Sequence, residues 1–170
     1  MVEYFDVVDE QNNIVGRATR DECHTKGLWH RAVHILIVNS KNEILLQKRS
    51  MQKDLYKGYW IDAAAGHVDS GEIYEEAAER ELKEELGITV PLHHLFDFKK
   101  AAGNDKEFIR VFAGKHEGLF NFNREEIDRV EFFTLDEIQG MLDYDKFTPA
   151  TVEIVNRLAA DPSTLKRFLQ

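Results

Sequence analysis

The sequence predicts a layered α/β or α+β domain, in which helices pack on a β-sheet. Three observations lead to this prediction. Short runs with strand periodicity come first along the chain, amphipathic helical segments are interspersed among the later runs, and no repeat or Pro/Gly-rich linker interrupts the 170 residues. We therefore expect one continuous domain over residues 1–170, which is long enough to bury a substantial core.

Six runs of alternating or β-branched residues predict strands. They are Tyr4–Val8, Ile14–Thr19, Ala32–Val38, Glu43–Gln47, Phe108–Ala113 and Val130–Phe133. Turn-forming residues lie between the first and second runs, at Asn12-Asn13, and between the third and fourth runs, at Asn39–Asn42. We therefore expect two hairpins in the first third of the chain.

The clearest predicted helix runs from Glu72 to Leu86. Asp69 with Glu72 predicts a capping box at its start, and Gly87 predicts its end. An apolar stripe at helical spacing, which marks the face that packs on the sheet, consists of Ala78, Leu82 and Leu86. Further helices are predicted at Leu135–Leu142, Pro149–Ala159 and, as a short segment, Asp161–Gln170.

Charge and composition exclude several classes of function. Lys and Arg total 22 against 31 Asp and Glu, and this net charge of −9 argues against broad binding to nucleic acid. The longest apolar run, Val33–Val38, is interrupted by His34 and is too short to span a membrane. The first residues lack the basic flank and apolar core of a signal peptide, so we expect a cytoplasmic location. The single Cys23 excludes an internal disulfide.

The negative charge is concentrated in one segment, where eight acids and two bases lie between Gly66 and Ile88. Within it, Glu81, Glu84 and Glu85 share one helix face, with Cβ atoms about 5–6 Å apart. A divalent cation would turn their repulsion into ligation, and oxygen-only donors favour Mg²⁺, with Mn²⁺ also suitable. Because Mg²⁺ usually binds carboxylates together with substrate phosphates, the pattern indicates phosphate chemistry. The alternative is a solvated helix face built from good helix formers.

The surrounding residues decide in favour of a metal site. Gly66, Glu72, Arg80-Glu81-Leu82, Glu84-Glu85 and Gly87-Ile88 match all nine defined positions of the Nudix box. The chain therefore resembles the Nudix hydrolases. The resemblance implies an α/β/α sandwich around a mixed β-sheet, with the box as a catalytic loop–helix–loop.

The resemblance also implies roles for these residues. Glu81, Glu84 and Glu85 would hold the metal, Gly66 would let the loop approach a ligand, and Glu72 would pair with Arg80 to brace the helix. The implied reaction is metal-dependent hydrolysis of a phosphoanhydride bond in a small nucleoside-diphosphate-type substrate. The general base stays open among Glu85 and two later acids, Glu126 and Glu131, each of which has an alternative role as an exposed acid. Dimers are common in the family, so a homodimer is a further expectation.

A wider resemblance extends to the isopentenyl diphosphate isomerase-like branch of the superfamily. It rests on residues before the box, namely Phe5–Glu10, Arg20, Cys23-His24, His30–His34, Leu45–Arg49, Lys53 and Gly58–Trp60. It implies a second metal set formed by His24, His30, His67, Asp105 and Glu107, and it implies that the diphosphate is bound by Arg49 and Lys53. Structural histidines and solvated basic residues are the alternatives.

Two departures separate this chain from the isomerase. Ala65 stands just before Gly66-His67, where the isomerase relies on a cysteine, and alanine cannot transfer a proton. The box is also complete here, whereas the isomerase has a degenerate one. Hydrolysis is therefore the leading hypothesis. Isomerisation of isopentenyl diphosphate and a non-catalytic nucleotide-binding sensor are the alternatives.

Overall fold

The computed structural model describes all of residues 1–170 and contains nine strands and five helices. The strands are β1 (Tyr4–Val8), β2 (Ile14–Thr19), β3 (His30–Val38), β4 (Ile44–Arg49), β5 (Trp60–Asp62), β6 (Ala64–His67), β7 (His93–Ala102), β8 (Asp105–Lys115) and β9 (Ile127–Phe133). The helices are α1 (Arg20–Lys26), α2 (Tyr74–Leu86), α3 (Leu135–Met141), α4 (Pro149–Ala160) and α5 (Pro162–Leu169). No helix is both long enough and apolar enough to cross a bilayer.

Seven of the strands form one mixed sheet, and β1 and β2 form a separate hairpin. The sheet has the order β5-β4-β3-β8-β7, with β6 also paired to β3 and β9 to β4. Strands β3 and β8 run parallel, and the other pairs in the sheet are antiparallel. One apolar core lies between the sheet and α3, α4 and α5, and a second lies between the sheet and α2. The predicted α/β/α sandwich around a mixed sheet is therefore confirmed.

The sheet opens between its two central strands, and this opening positions the site. Strands β3 and β4 pair only at Val38 and Ile44, beside their connecting turn. Beyond that point β3 pairs with β6, whereas β4 pairs with β5 and β9. Residues of β4, β5 and β6 therefore line a common opening, among them Arg49, Ile61 and Ala65.

Helix α2 begins at Tyr74, two residues later than predicted, and the predicted capping box is wrong. The Glu72 carboxylate accepts a hydrogen bond from the Asp69 backbone N–H (3.0 Å), but the Glu72 N–H donates to the Asp69 carbonyl and not to its side chain. Both Glu72 carboxylate oxygens also accept from Arg80 at 2.9 Å, which holds Glu72 in the preceding loop. At the other end, Gly87 terminates the helix in the left-handed conformation (φ 69°), as predicted.

Four elements were not predicted, namely α1, β5, β6 and β7. Helix α1 has a capping box between Thr19 and Glu22, but it buries only Cys23 and so shows no apolar period. Strands β5 and β6 have three and four residues, which is too short for an alternating pattern. Strand β7 is a largely exposed edge strand that buries only Phe98. Its sequence therefore has little of the hydrophobic periodicity that identifies a strand.

Candidate active site and metal centre

A cleft of about 760 Å³ lies where the sheet opens. It is lined by most of the residues that the sequence singled out, namely Glu81, Glu84, Glu85, Glu126, Arg49, Lys53, His24, His67, Asp105 and Glu107. His30 lies behind this surface and is fully buried. The box carboxylates, the basic residues and the histidine set therefore share one cavity.

Glu131 is the exception among the predicted catalytic acids. Its neighbours on β9, Val130 and Phe132, pack into the core beneath α2. Because successive side chains on a strand alternate, Glu131 points to the opposite face of the sheet, where it lies half-exposed beside Arg129. It does not line the cleft, so the structure does not bring Glu131 together with the other predicted catalytic acids.

The three box glutamates differ in their surroundings. Glu81 lies against the backbone of β6, and a Cβ atom at Gly66 would overlap its carboxylate. The glycine is therefore required by the close approach of α2, whereas the sequence analysis expected it to let the loop approach a ligand. Glu85 is partly buried and accepts a hydrogen bond from the side-chain amide of Gln47. Glu84 is 61% exposed and lies at the mouth of the cleft.

The protein environment works against ionisation of the two inner acids. Burial raises the pKa of Glu85 to about 8, and the negative charge of Glu81 acts in the same direction. Burial also raises the pKa of Glu81, and the neighbouring Arg80 opposes that shift. Two adjacent carboxyl groups with raised pKa values are suited to a cation that compensates both charges. The donor set, which consists only of carboxylate oxygens, fits a hard divalent ion such as Mg²⁺.

Arg80 holds this arrangement together. Its Nε and Nη2 each donate to Glu72 at 2.9 Å, and its Nη1 donates to Glu81 at 2.6 Å. A further bond of 3.0 Å runs from Nη2 to the His67 carbonyl. Arg80 thus joins the loop before α2, the helix itself and strand β6. The Glu72–Arg80 pair thus has the bracing contacts that were expected, and Arg80 also binds Glu81, a candidate metal ligand.

The histidines form a second cluster in which ligand atoms of His24, His30, His67 and Glu107 lie within 4.8 Å of one another. The Nδ1 atoms of His24 and His30 lie 3.0 and 2.9 Å from backbone carbonyl oxygens, which can only accept. Both Nδ1 atoms therefore carry hydrogen, and each Nε2 lone pair is free for a metal, as is usual for metal-binding histidines. The His30 Nε2 atom is buried without a hydrogen-bond partner. The residues therefore fit a transition-metal ion.

Asp105 lies beside this cluster, but its oxygens are not among the four ligand atoms that lie within 4.8 Å of one another. Its Oδ1 atom, buried without a hydrogen-bond partner, is 3.9 Å from the His24 Nε2. Its other oxygen, Oδ2, is 2.6 Å from the ammonium of Lys100. Asp105 is therefore placed to join the cluster through one oxygen.

Lys100 is a site residue that the sequence analysis missed. Its Nζ donates to Glu107 Oε2 (2.9 Å) as well as to Asp105, so it holds the outer oxygen of each carboxylate. The inner Glu107 oxygen then faces His67 Nε2 at 3.1 Å. Burial acts to raise the pKa of Glu107, but His67 and Lys100 outweigh it and hold that pKa below its usual range. Lys100 lies opposite Glu107 in the β7–β8 register, so predicting β7 would have revealed it.

The basic residues lie on the β4 side of the cleft. Arg49 donates through Nε to the Leu55 carbonyl (3.2 Å). This hydrogen bond does not use the two terminal nitrogens of its guanidinium. Lys53 lies 3.3 Å from the carboxylate of Glu126, the one later acid that lines the cleft. The two cations thus lie in the same cavity as the box carboxylates, as expected for residues that bind the anionic part of a substrate.

The fold and this site together resemble those of a known family of hydrolases, and comparison with known proteins identifies it. The NUDIX domain model matches residues 28–155. An uncharacterized Nudix hydrolase of Yersinia pestis is 36% identical over 163 residues, which span 92% of this chain and 85% of the relative. The chain belongs to the Nudix hydrolase family.

Two further similarities agree with the sequence analysis. An isopentenyl-diphosphate Delta-isomerase 2 of Photorhabdus laumondii is 31% identical over 166 residues, which span 94% of each chain. Among solved structures, DR0079 from Deinococcus radiodurans superimposes with a TM-score of 0.80 at 26% identity and covers 91% of this chain and 98% of its own. Both the Nudix fold and the wider resemblance to the isomerase branch are therefore supported.

Proposed function

We propose that this chain is a Mg²⁺-dependent pyrophosphohydrolase that cleaves a phosphoanhydride bond in a small nucleoside-diphosphate-type substrate. One observation carries the proposal. The complete set of box carboxylates lies in one cleft with Arg49 and Lys53, so that cation-binding and phosphate-binding groups face the same space. Mn²⁺ has the same preference for oxygen ligands and is expected to substitute for Mg²⁺.

Each residue has a distinct task in this proposal. Glu81, Glu84 and Glu85 hold the metal, which when bound polarises the phosphoryl oxygens and acidifies water. Arg49 and Lys53 bind and orient the diphosphate. Arg80 and Glu72 are positioning residues, because Arg80 donates to Glu81 and is itself held by the carboxylate of Glu72.

The proton of the attacking water requires an acceptor, and two acids that line the cleft are candidates. Glu85 combines a raised pKa of about 8 with a position among the metal ligands. Glu126 is more exposed and is held near the phosphate-binding side by Lys53. Because a bound cation lowers the pKa of a carboxyl group that it contacts, the pKa of metal-free Glu85 does not decide between them, and both acids remain candidates for the general base.

We also propose that His24, His30, His67 and Glu107 hold a second divalent ion, with Asp105 as an additional ligand. Imidazole and carboxylate donors suit zinc, manganese or iron in this geometry. The same cluster, together with the isomerase relative, favours isopentenyl diphosphate isomerisation as a second candidate function. Ala65 opposes it, since its methyl group lines the cleft at the position that would have to transfer a proton.

The test is a substrate panel assayed with Mg²⁺ and Mn²⁺, with products identified by mass. The panel contains nucleoside di- and triphosphates, ADP-ribose, dinucleotide polyphosphates and isopentenyl diphosphate. We expect turnover by the wild type and loss of turnover in Glu84→Gln/Glu85→Gln. Glu79→Gln is the matched control, because this exposed acid lies on the same helix outside the cleft.

Each alternative has its own outcome in the same experiment. An inert wild type, or a double variant as active as the wild type, would refute the hydrolase proposal. Uptake of solvent deuterium into isopentenyl diphosphate would identify an isomerase. Thermal stabilisation by a nucleotide without any turnover would identify a non-catalytic sensor.

A further inference from the structure

A buried polar network lies beside the cleft and has no role in the mechanism above. His34 on β3 hydrogen-bonds through Nδ1 to both carboxylate oxygens of Asp62 on β5, at 3.0 Å each. Thr151 on α4 bonds to Asp62 Oδ1 at 2.7 Å, and Thr148 bonds to Thr151 at 2.9 Å. Asp62 is fully buried, and the other three side chains are nearly so.

The hydrogen positions in this network follow from the donors and acceptors. An ionised Asp62 can only accept, so the Thr151 hydroxyl and the His34 Nδ1 both donate to it. Thr148 then donates to Thr151, whose own hydrogen is already used. The His34 Nε2 is left as the one side-chain nitrogen of the network without a protein partner, and His34 lines the cleft.

The β3–β6 pairing gives the direction of the His34 side chain. His34 lies directly opposite Ala65 in the β3–β6 register, so the two side chains point to the same side of the sheet. Ala65 lines the same cleft as the box carboxylates and Arg49. His34 therefore lies one strand away from Ala65 within this cleft.

A purely structural role explains this network poorly. The neighbours of His34 on the same face of β3, Ala32 and Leu36, belong to the apolar core. An ionised carboxylate in such surroundings is costly to desolvate, and apolar side chains of similar volume fill such space without that cost. The network does achieve one thing that apolar residues cannot, because it directs a fixed nitrogen into the cleft.

We propose that His34 is a substrate-binding residue whose Nε2 donates a hydrogen bond to a phosphoryl oxygen of the bound diphosphate, with Asp62 as its positioning residue. This inference rests on the proposed diphosphate-type substrate. Burial acts to lower the pKa of His34, but the Asp62 carboxylate outweighs it and raises that pKa. This shift acts toward the imidazolium, in which Nε2 carries the hydrogen that is donated.

The experiment measures binding of methylenediphosphonate, a diphosphate mimic that cannot be hydrolysed, to the full chain with Mg²⁺ by titration calorimetry. A hydrogen bond to a charged group predicts that His34→Ala weakens binding about 10- to 100-fold. Added imidazole should restore part of the affinity of that variant. Asp62→Asn should weaken binding in the same direction because it releases the ring. His94→Ala, which removes an exposed histidine outside the cleft, is the control that keeps wild-type affinity.

His34→Gln is the second variant, for the case in which His34→Ala does not fold. Its side-chain amide keeps a hydrogen-bond donor, and this variant should bind the probe more weakly than the wild type does. Wild-type affinity in a folded His34→Ala or His34→Gln protein would overturn the inference, as would a wild type that does not bind the probe. The two proposals fail separately. Dependence of binding on His34 in a protein that hydrolyses nothing would leave this inference standing and refute the hydrolase, whereas turnover with His34-independent binding would do the reverse.

Discussion

Glu85→Gln should stabilise the metal-free protein increasingly as the pH rises. In the folded protein the pKa of Glu85 is about 8, whereas an unperturbed glutamate has 4.5. Between these two values the folded state holds one more proton than the unfolded state, so the free energy of unfolding falls as the pH rises through this window. Glutamine has the shape of the protonated acid and no charge, so the free energy of unfolding of the variant does not fall with pH in this way.

The size of the effect follows from the two pKa values. At about 1.36 kcal/mol per pKa unit, the difference corresponds to about 5 kcal/mol at a pH above 8. Glu85 is partly accessible to water, which screens its charge, so we expect about 2–4 kcal/mol at pH 8.5 and close to zero at pH 5.

The measurement is urea unfolding of the wild type and Glu85→Gln in EDTA at pH 5, 6.5 and 8.5. Glu84→Gln is the control, since this exposed side chain should change stability by less than about 0.5 kcal/mol. Mg²⁺ at about 1,000 times the wild-type Kd should reverse the order of stability at alkaline pH, because binding stabilises the protein that retains Glu85 by about 4.1 kcal/mol, which exceeds the difference expected between the two proteins. A difference between Glu85→Gln and wild type that is the same at all three pH values would refute the reasoning.

Three further predictions concern single positions. Gly66→Ala keeps an ordinary backbone conformation but places a Cβ against the Glu81 carboxylate, so Mg²⁺ affinity measured by calorimetry should fall at least about tenfold; unchanged affinity would contradict this. Gly87→Ala forces a side chain into a φ of 69° with a backbone oxygen 2.9 Å from its Cβ, and urea unfolding should show a loss of about 1–2 kcal/mol. Lys100→Met removes the ammonium from the outer oxygen of Glu107. It should lower the melting temperature without metal, and Mn²⁺ should restore more stability to the variant than to wild type; equal Mn²⁺ responses would rule this out.

The box helix could be predicted from the sequence because its information is local. Nine defined positions lie within one short segment, and helical spacing alone places Glu81, Glu84 and Glu85 together. The start of the helix was predicted two residues too early, since a side chain eight residues further along, Arg80, holds Glu72 outside it. A capping rule considers neighbours in sequence and cannot detect that competition.

The rest of the cleft depends on pairings between distant segments, which one sequence does not specify. Lys100 reaches the histidine cluster only because β7 lies beside β8, and an exposed edge strand has little hydrophobic pattern. Asp62 lies on a strand of three residues that meets α4 only in the folded protein. For Glu131 the strand was predicted but its face was not, since apolar residues lie on both faces of this strand and do not show which face is turned to the cleft.

The two candidate metal sets are joined through one short piece of backbone. Gly66 on β6 lies against Glu81, and the next residue, His67, contributes its side chain to the histidine cluster. The His67 carbonyl also accepts a hydrogen bond from Arg80, which binds Glu81 through another nitrogen. Any displacement of the β6 backbone therefore moves His67, a candidate ligand of the histidine set. Through Arg80 it also moves Glu81, a candidate ligand of the box set. The box and the histidines are thus parts of one structural unit, and Arg80 is the side chain through which a change in either set reaches the other.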